Sequence, residues 1–166
     1  ISEILDLIEN NEKERECLFS FLFSENESIG YQVAWIFTHC SAATNLWLYQ
    51  KQDELINEVL ICKHVGKRRV LLSLLYKQLF QNPPRVDFLN FCMDIIINNQ
   101  EPTAIISTCM KIAYELCLPI PELMSEFTLL LETMQGKSTP AIESSYRNIQ
   151  KAMKKKKSLR RLDSFN

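Results

Sequence analysis

Glycine is scarce in this chain, with three among 166 residues, and none follows Asn or Asp to make a tight hairpin turn. No apolar run approaches the roughly 20 residues that a membrane-spanning helix needs. There are two histidines and no Cys-x-x-Cys pair, so no set of metal ligands has the usual spacing. Three glycines also leave almost no room for a glycine-rich phosphate loop. We therefore expect a helical protein without a metal ion or cofactor.

The six cysteines are spread along the chain, and most lie in apolar stretches with helical spacing. A free cysteine in such a stretch behaves as a small hydrophobic residue, and free thiols in this number fit a reducing compartment. We predict six reduced cysteines and a cytoplasmic location. The chain begins with Ile1 rather than Met, so a preceding segment, including a cleaved signal peptide, stays open.

The net charge of −1 hides an uneven distribution. Residues 1–136 hold 10 Lys and Arg against 18 Asp and Glu, whereas residues 137–166 hold 9 Lys and Arg against 2 Asp and Glu. A block of one sign at a chain end is typical of an interaction tail. A solvated final helix that frays has the same composition.

Apolar residues recur at an interval of 36 residues, which indicates a repeat array. A second apolar column follows one helical turn later, so each pair lies on one face of a helix. The first column is Phe19, Leu55, Phe91 and Phe127, and the second is Phe23, Val59, Ile95 and Leu131.

Nine helices are predicted from apolar spacing and from Pro and N-cap residues. The predicted ranges are 2–10, 12–24, 27–41, 43–61, 65–81, 84–98, 102–117, 120–135 and 138–157. The chain lacks the tetratricopeptide pattern and the recurring base-reading side chains of Pumilio repeats. By elimination, the fold class is all-α, a right-handed α-α superhelix of about four HEAT-like or armadillo-like hairpins closed by a capping helix. A single repeat domain spans 1–157, and a basic tail spans 158–166.

The residues from Gly30 to Phe37 are similar to an R-A-A-W-V-L helix, and Trp47-Leu48 follows in the next helix. In these segments the chain resembles short armadillo-like repeat proteins of Bacteroidetes that often carry the label adenylosuccinate lyase. A Pro-Glu-Leu entry at Pro121 also matches, as does a final helix over 145–153. The resemblance implies an armadillo-like fold. Tyr31-Gln32 and Ser145 stand where the family has arginines.

The lyase label implies catalysis, but the residues for it are missing. The lyase superfamily uses a flexible G-S-S-x-x-M-P-x-K-x-N-P loop and catalytic histidines, and this chain has no such loop. Its histidines, His39 and His64, fall on different repeats. His39 and Cys40 are adjacent on a helix and point about 100° apart, so they cannot act as a base and nucleophile pair. We predict that the protein is not an enzyme.

Basic residues are the candidate binding residues, because they could hold phosphates or an acidic peptide. A solvated helix end is the alternative interpretation of the same residues. One cluster lies at the start of the fifth predicted helix and the other covers the final helix and tail: Lys63, Lys67, Arg68, Arg69, Arg147, Lys151, Lys154, Lys155, Lys156, Lys157, Arg160 and Arg161.

We therefore predict a non-catalytic scaffold that binds another macromolecule, foremost a protein, through the groove of its repeats. Nucleic-acid binding through the basic residues is the alternative, although the acidic balance of residues 1–136 argues against it. Deleting residues 154–166 is expected to leave the melting temperature nearly unchanged, unless Leu159, Leu162 and Phe165 pack against the repeats.

Overall fold

The computed structural model describes residues 1–134, 136 and 138–160. Helices make up most of this part of the chain, and a single-turn 3-10 helix at Phe21–Phe23 follows the second α-helix. The α-helices of the described part are α1 Ser2–Asn10, α2 Glu12–Ser20, α3 Glu27–Phe37, α4 Ala42–Tyr49, α5 Gln52–Ile61, α6 Val65–Tyr76, α7 Val86–Asn98, α8 Thr103–Cys117, α9 Pro121–Thr133 and α10 Pro140–Lys155.

The predicted all-α fold class is confirmed, since no strand occurs in the described ranges. Sequential helices pack as hairpins, α5 with α6 and α7 with α8. Corresponding helices of successive hairpins also pack side by side, α3 with α6 and α8 with α10. These four helices begin at nearly constant intervals of 38, 38 and 37 residues, at Glu27, Val65, Thr103 and Pro140. The chain is thus a helical repeat array.

The helices form two compact units. The first covers residues 1–78 and contains α1 to α6, and the second contains α7 to α10 within residues 79–160. Each has a core of fully buried apolar side chains. The predicted division into a repeat domain at 1–157 and a tail at 158–166 stays a prediction. Prominent core residues are Leu22, Ala34, Leu55, Leu71 and Leu75 in the first unit, and Phe88, Ile105, Cys109, Met110 and Phe127 in the second.

The helix predicted at 43–61 is two helices, α4 and α5, because the backbone between them forms a narrower helical turn. The N–H of Gln50 donates to the carbonyl of Trp47 at 3.1 Å, and the N–H of Lys51 donates to that of Leu48 at 2.9 Å. Hydrogen bonds across three residues are those of a 3-10 turn, which is narrower than an α-helix. Neither Gly nor Pro marks the break, so apolar spacing alone predicts one continuous helix.

Most of the predicted apolar columns are buried. Phe19, Leu55 and Phe127 are 3%, 0% and 0% exposed, respectively. In the second column, Val59 and Leu131 are 0% and 1% exposed. These side chains lie on α2, α5 and α9, so the 36-residue spacing correctly locates the inner faces of three helices.

In α7 the predicted buried positions are wrong by one residue. Phe91 and Ile95 are half-buried, while their neighbours Cys92 and Ile96 are 0% and 1% exposed. The helix is apolar on more than one face, because both pairs of adjacent positions are hydrophobic. Periodicity then allows two registers one residue apart, and packing against α8 selects the one that buries the smaller Cys92.

A carboxylate from α1 caps the start of α4. The Glu9 oxygens accept from the backbone N–H of Ser41 at 2.6 Å, from the Ser41 hydroxyl, and from the Thr44 hydroxyl at 3.1 Å. The first N–H groups of a helix lack partners within it, and a negative charge there is favourable. Burial alone would raise the pKa of Glu9, but the hydrogen bonds from Ser41 and Thr44 outweigh burial and lower it.

Replacing Glu9 with Gln is expected to cost about 1 kcal/mol at neutral pH. Because the folded state lowers the pKa of Glu9, the charge stabilises the fold above the ordinary carboxyl value of 4.5. That contribution disappears as the pH falls through the lowered value. The difference in urea stability between the parent and Glu9→Gln should therefore be largest at neutral pH and shrink steadily as the pH is lowered below 4.5. Glu132→Gln, at an exposed position of α9, is the control, and an equal loss in both variants would contradict the cap.

Candidate functional site

A groove in the first unit lies between the 3-10 helix and α5. It is lined by Phe23, Glu54, Asn57, Glu58 and Ile61 and has a volume of about 270 Å³. Phe23 is 40% exposed and Ile61 is 72% exposed. Large apolar side chains that are exposed beside each other and edged by polar groups mark interaction surfaces. We call these five residues the acidic groove, and their exposed apolar side chains make them a candidate binding surface of the first unit.

The 3-10 helix explains why Phe23 is available. The 36-residue spacing predicts Phe23 for the second buried column, but the structure buries Leu22 completely and exposes Phe23. A 3-10 helix turns about 120° per residue rather than 100°, which rotates Leu22 inward. Predicting this surface would have required predicting the tightened turn.

Two carboxylates edge the apolar part of the groove. Glu54 and Glu58 are four residues apart on α5, so they lie on one face of that helix. Glu54 is exposed, and Glu58 is half-buried. Glu54 therefore presents negative charge beside apolar surface, which suits a ligand that combines apolar and cationic groups.

Lys67 supports the groove from inside. Its ammonium lies 2.6 Å from Glu58 Oε1, and its side chain is 0% exposed. A β-carbon at Gly30 would lie 2.7 Å from that ammonium and 2.6 Å from the carbonyl oxygen of Leu22, so only glycine leaves this space. The prediction that Lys67 contacts a partner is therefore wrong, because the side chain is enclosed and neutralises a buried part of Glu58.

The other basic residues at the start of α6 differ in exposure. Lys63 and Arg69 are exposed, whereas Arg68 is half-buried. The guanidinium of Arg68 donates to the carbonyl of Cys62, and the backbone N–H of Lys63 donates to Glu27 at 3.1 Å. Lys63 and Arg69 are therefore the two cations of this predicted cluster that are exposed to a binding partner.

The exposed side of α10 carries a basic stripe. The stripe consists of Arg147, Lys151, Lys154 and Lys155, whose spacing places them on one helix face. The buried Ile142 and Ile149 lie on the opposite face. The two lysines that follow the stripe are exposed as well. The exposed basic residues are Arg147, Lys151, Lys154, Lys155, Lys156 and Lys157.

The chain reverses direction at the end of α10. Lys156 is in the left-handed region with φ 52°, and the N–H groups of Lys156 and Lys157 donate to the carbonyls of Met153 and Ala152. This pair of hydrogen bonds is a Schellman motif, which usually has glycine at the left-handed position. The reversal brings the Lys157 carbonyl to the hydroxyl of Tyr114, which donates to it at 2.6 Å.

The next three residues, Ser158 to Arg160, lie against the Glu115 carboxylate of α8. Glu115 Oε1 accepts from the Ser158 hydroxyl and from the Leu159 N–H, both at 2.8 Å. The Nε of Arg160 lies 3.7 Å from the same oxygen, and the guanidinium lies 4.9 Å from the centre of the Phe80 ring. We call these contacts the C-terminal clamp.

The clamp argues against two expectations about the basic end. The Arg160 side chain is 7% exposed, so it binds within its own unit rather than to a partner. Leu159 is half-buried and its N–H holds Glu115, so the described part of the tail is structural. Arg161, Leu162 and Phe165 lie outside the described residues.

Truncating the chain after Lys157 is expected to lower its stability measurably. The deletion leaves the Glu115 carboxylate, whose side chain is 4% exposed, without the donors of the clamp. Losing hydrogen bonds to a buried charge costs about 2 kcal/mol, or about 4–8 °C in melting temperature at this size. A chain truncated after Arg160 retains the clamp and is the reference for calorimetry. Equal melting temperatures would instead support the expectation of a dispensable tail.

The two histidines make capping and packing contacts. The Nδ1 of His64 caps α6 by accepting from the N–H of Lys67 at 3.0 Å, and its ring stacks on Tyr31 with 5.1 Å between centroids. His39 packs against Trp35 at 4.4 Å, with Nδ1 3.0 Å from the Trp35 carbonyl oxygen. Both rings are thus engaged in capping or packing.

Several of the thiols are held in their protonated form, which is a weak nucleophile. All six cysteines are free of disulfide bonds. Burial, and secondarily nearby carboxylates, raise the pKa values of Cys40 and Cys117 to about 12. Burial also raises the pKa of Cys92, which lies beside Cys109. A thiol with a raised pKa stays protonated at neutral pH, and only the thiolate is a strong nucleophile.

In the described parts of the chain, no three His, Cys, Asp or Glu residues are grouped as a metal ion would require. None of the helices described combines the length and apolar content needed to cross a bilayer.

Negative charge is concentrated in the part of the chain that holds the acidic groove. Residues 1–61 contain 3 Lys and Arg against 11 Asp and Glu, whereas residues 62–136 contain 7 of each sign. This excess of carboxylates adds to the negative charge of Glu54, and it attracts cations to the exposed apolar side chains of the groove.

Comparison with known proteins identifies the repeat. The family model described as HEAT repeat domain matches residues 1–153, which include α1 to α9 and most of α10. No curated protein and no solved structure matches the chain. The matched range and the paired helices agree, and the chain belongs to the HEAT repeat domain family.

Proposed function

We propose that this protein is a non-catalytic scaffold that binds a segment of another protein in the acidic groove. The observation that carries the proposal is the pairing of exposed Phe23 and Ile61 with Glu54 and Glu58 on one surface. HEAT repeat domains are typically protein-interaction scaffolds. The free thiols fit a reducing compartment, so we also propose a cytoplasmic location.

The chemistry of the groove favours a protein ligand over nucleic acid. The carboxylate of Glu54 would repel a phosphate backbone, and nothing in a phosphate backbone would cover Ile61. A peptide segment with an apolar anchor between Lys or Arg residues satisfies both features. The matching partner segment is therefore basic and apolar.

Nucleic-acid binding is the second candidate, and the basic stripe of α10 is the observation that favours it. Four exposed cations on one helix face, Arg147, Lys151, Lys154 and Lys155, could follow a row of phosphates. Among the other exposed candidate residues, Lys156 and Lys157 follow the stripe, whereas Lys63 and Arg69 belong to the other unit. No aromatic residue interleaves with these cations between Arg147 and Lys157 to provide base stacking.

Fluorescence anisotropy with defined probes separates the two candidates. The probes are a helical peptide of about 15 residues with Leu at helical spacing between Lys residues, the same peptide with Glu in place of Lys, and an oligothymidine of about 20 nucleotides. We expect binding of the basic peptide, weakened when salt rises from about 50 to about 300 mM. The acidic peptide and the oligonucleotide should bind at least tenfold more weakly.

Substitutions locate the binding. Ile61→Glu should weaken binding of the basic peptide at least tenfold, because it buries a charge where the apolar anchor packs. Val86→Glu is the matched control, since Val86 is 68% exposed and lies outside the groove. Equal binding by Ile61→Glu and the parent, or preferential binding of oligothymidine, would overturn the proposal.

The purified protein is expected not to cleave adenylosuccinate. The chain has no proton-abstracting loop of the lyase type, and both histidines serve in capping or packing. Fumarate release, followed by absorbance, should equal that of a protein-free blank. Turnover that a single substitution abolishes would show that the chain is an enzyme.

A further inference from the structure

We propose that Ser158 is a phosphorylation site at which a basophilic Ser/Thr protein kinase, with ATP as donor, opens the C-terminal clamp. The proposal is independent of the acidic groove. It stands on the contact between the Ser158 hydroxyl and the Glu115 carboxylate and on the sequence around Ser158.

The clamp depends on donors that converge on one oxygen. Glu115 Oε1 accepts from Ser158 and Leu159, and the Glu115 side chain is 4% exposed. Because it is buried, the Glu115 carboxylate cannot form replacement hydrogen bonds with water unless it moves from its position. The clamp is therefore weakened if Ser158 loses its O–H donor or gains negative charge.

Ser158 itself is accessible. The residue is exposed and follows directly after the end of α10 and its reversed turn. Lys154 to Lys157 precede it, and Arg160 and Arg161 follow it. A serine with cations on both sides is the substrate chemistry of kinases that bind basic peptides through acidic residues. No other serine of the chain has so many basic neighbours.

The modification is an ordinary phosphoryl transfer. A bond forms between Ser158 Oγ and the γ-phosphorus of ATP, and the bond from that phosphorus to the β,γ-bridging oxygen breaks. ADP leaves with that oxygen, and the hydroxyl proton passes to the catalytic aspartate of the kinase.

Phosphorylation removes the O–H donor and places a charge of about −1.5 to −2 beside a buried carboxylate. The like charges repel, and the phosphate favours solvent and the neighbouring lysines. Residues 157–160 then detach from Tyr114, Glu115 and Phe80. Loss of a charge-assisted hydrogen bond alone shifts the closed-to-open ratio about ten- to hundredfold.

The first test is modification of the full chain. The folded protein is incubated with the catalytic domain of a basophilic kinase and Mg-ATP, and phosphopeptides are mapped by mass spectrometry. We expect phosphate on Ser158 and none at that peptide in Ser158→Ala. Labelling of other serines while Ser158 stays unmodified would overturn the proposal.

The second test measures opening. Trypsin cleavage after Lys157 and Arg160 is timed for the parent before and after phosphorylation, and for Ser158→Glu. Cleavage should accelerate at least tenfold in both modified forms, while Ser144→Glu, at an exposed position of α10, matches the parent. In a Glu115→Gln background the acceleration should largely vanish, because the repelling charge is gone. Cleavage rates unchanged by phosphate would show that Ser158 does not control the clamp.

Discussion

Replacing Glu58 with Gln is expected to destabilise the first unit by about 3–5 kcal/mol, because it leaves the Lys67 ammonium buried without a countercharge. The Lys67 side chain is 0% exposed and lies 2.6 Å from the Glu58 carboxylate. It also packs against Gly30, so it has little space in which to turn toward water. Urea denaturation followed by circular dichroism measures the effect.

Two variants test the origin of this loss. Lys67→Met should cost less, since methionine fills similar space and Glu58, at 11% exposed, can reach water more easily than Lys67. Glu54→Gln removes a neighbouring carboxylate that is exposed and should change stability by no more than about 0.5 kcal/mol. If Glu58→Gln behaves like Glu54→Gln, Lys67 is not buried as described.

Phe127→Ala is expected to cost about 3–5 kcal/mol, from lost transfer free energy and the cavity that remains. Phe127 is 0% exposed, and its ring centroid lies 6.5 Å from that of Tyr114 in α8. Thermal and urea unfolding should both register the loss.

Phe91→Ala is the informative comparison. The 36-residue column predicts the same large loss at both positions, but Phe91 is half-buried and should cost distinctly less. Leu129→Ala, at a position of α9 that is 64% exposed, should change stability by about 0.5 kcal/mol at most. Equal losses at Phe91 and Phe127 would restore the predicted register of α7.

Apolar spacing predicts much of this fold because each helix buries one face. It locates Phe19, Leu55 and Phe127, whose helices have one dominant apolar stripe. It fails in α7, where adjacent positions such as Phe91 and Cys92 are both apolar and only packing selects between them. It also misses the break between α4 and α5, which no Gly or Pro marks.

The candidate sites were harder to predict because they depend on side chains from different helices. Lys67 and Arg69 look alike in sequence, and only the space at Gly30 together with the Glu58 carboxylate buries the first. The acidic groove requires the 3-10 turn that exposes Phe23. One signal was present for the clamp: Glu115 is a lone acid in the apolar face of α8, where a buried charge needs a partner.

Mapping the basic peptide onto the protein by NMR tests the central claim most directly. Backbone amide shifts are recorded as the Lys- and Leu-containing peptide is added to the isotope-labelled chain. We predict that the largest shifts cluster on the 3-10 helix and α5, around Phe23, Glu54 and Ile61, and that Ile61→Glu abolishes them. Absence of shifts there, together with oligothymidine-induced shifts along Arg147, Lys151 and Lys154, would contradict a protein-binding groove and favour nucleic-acid binding.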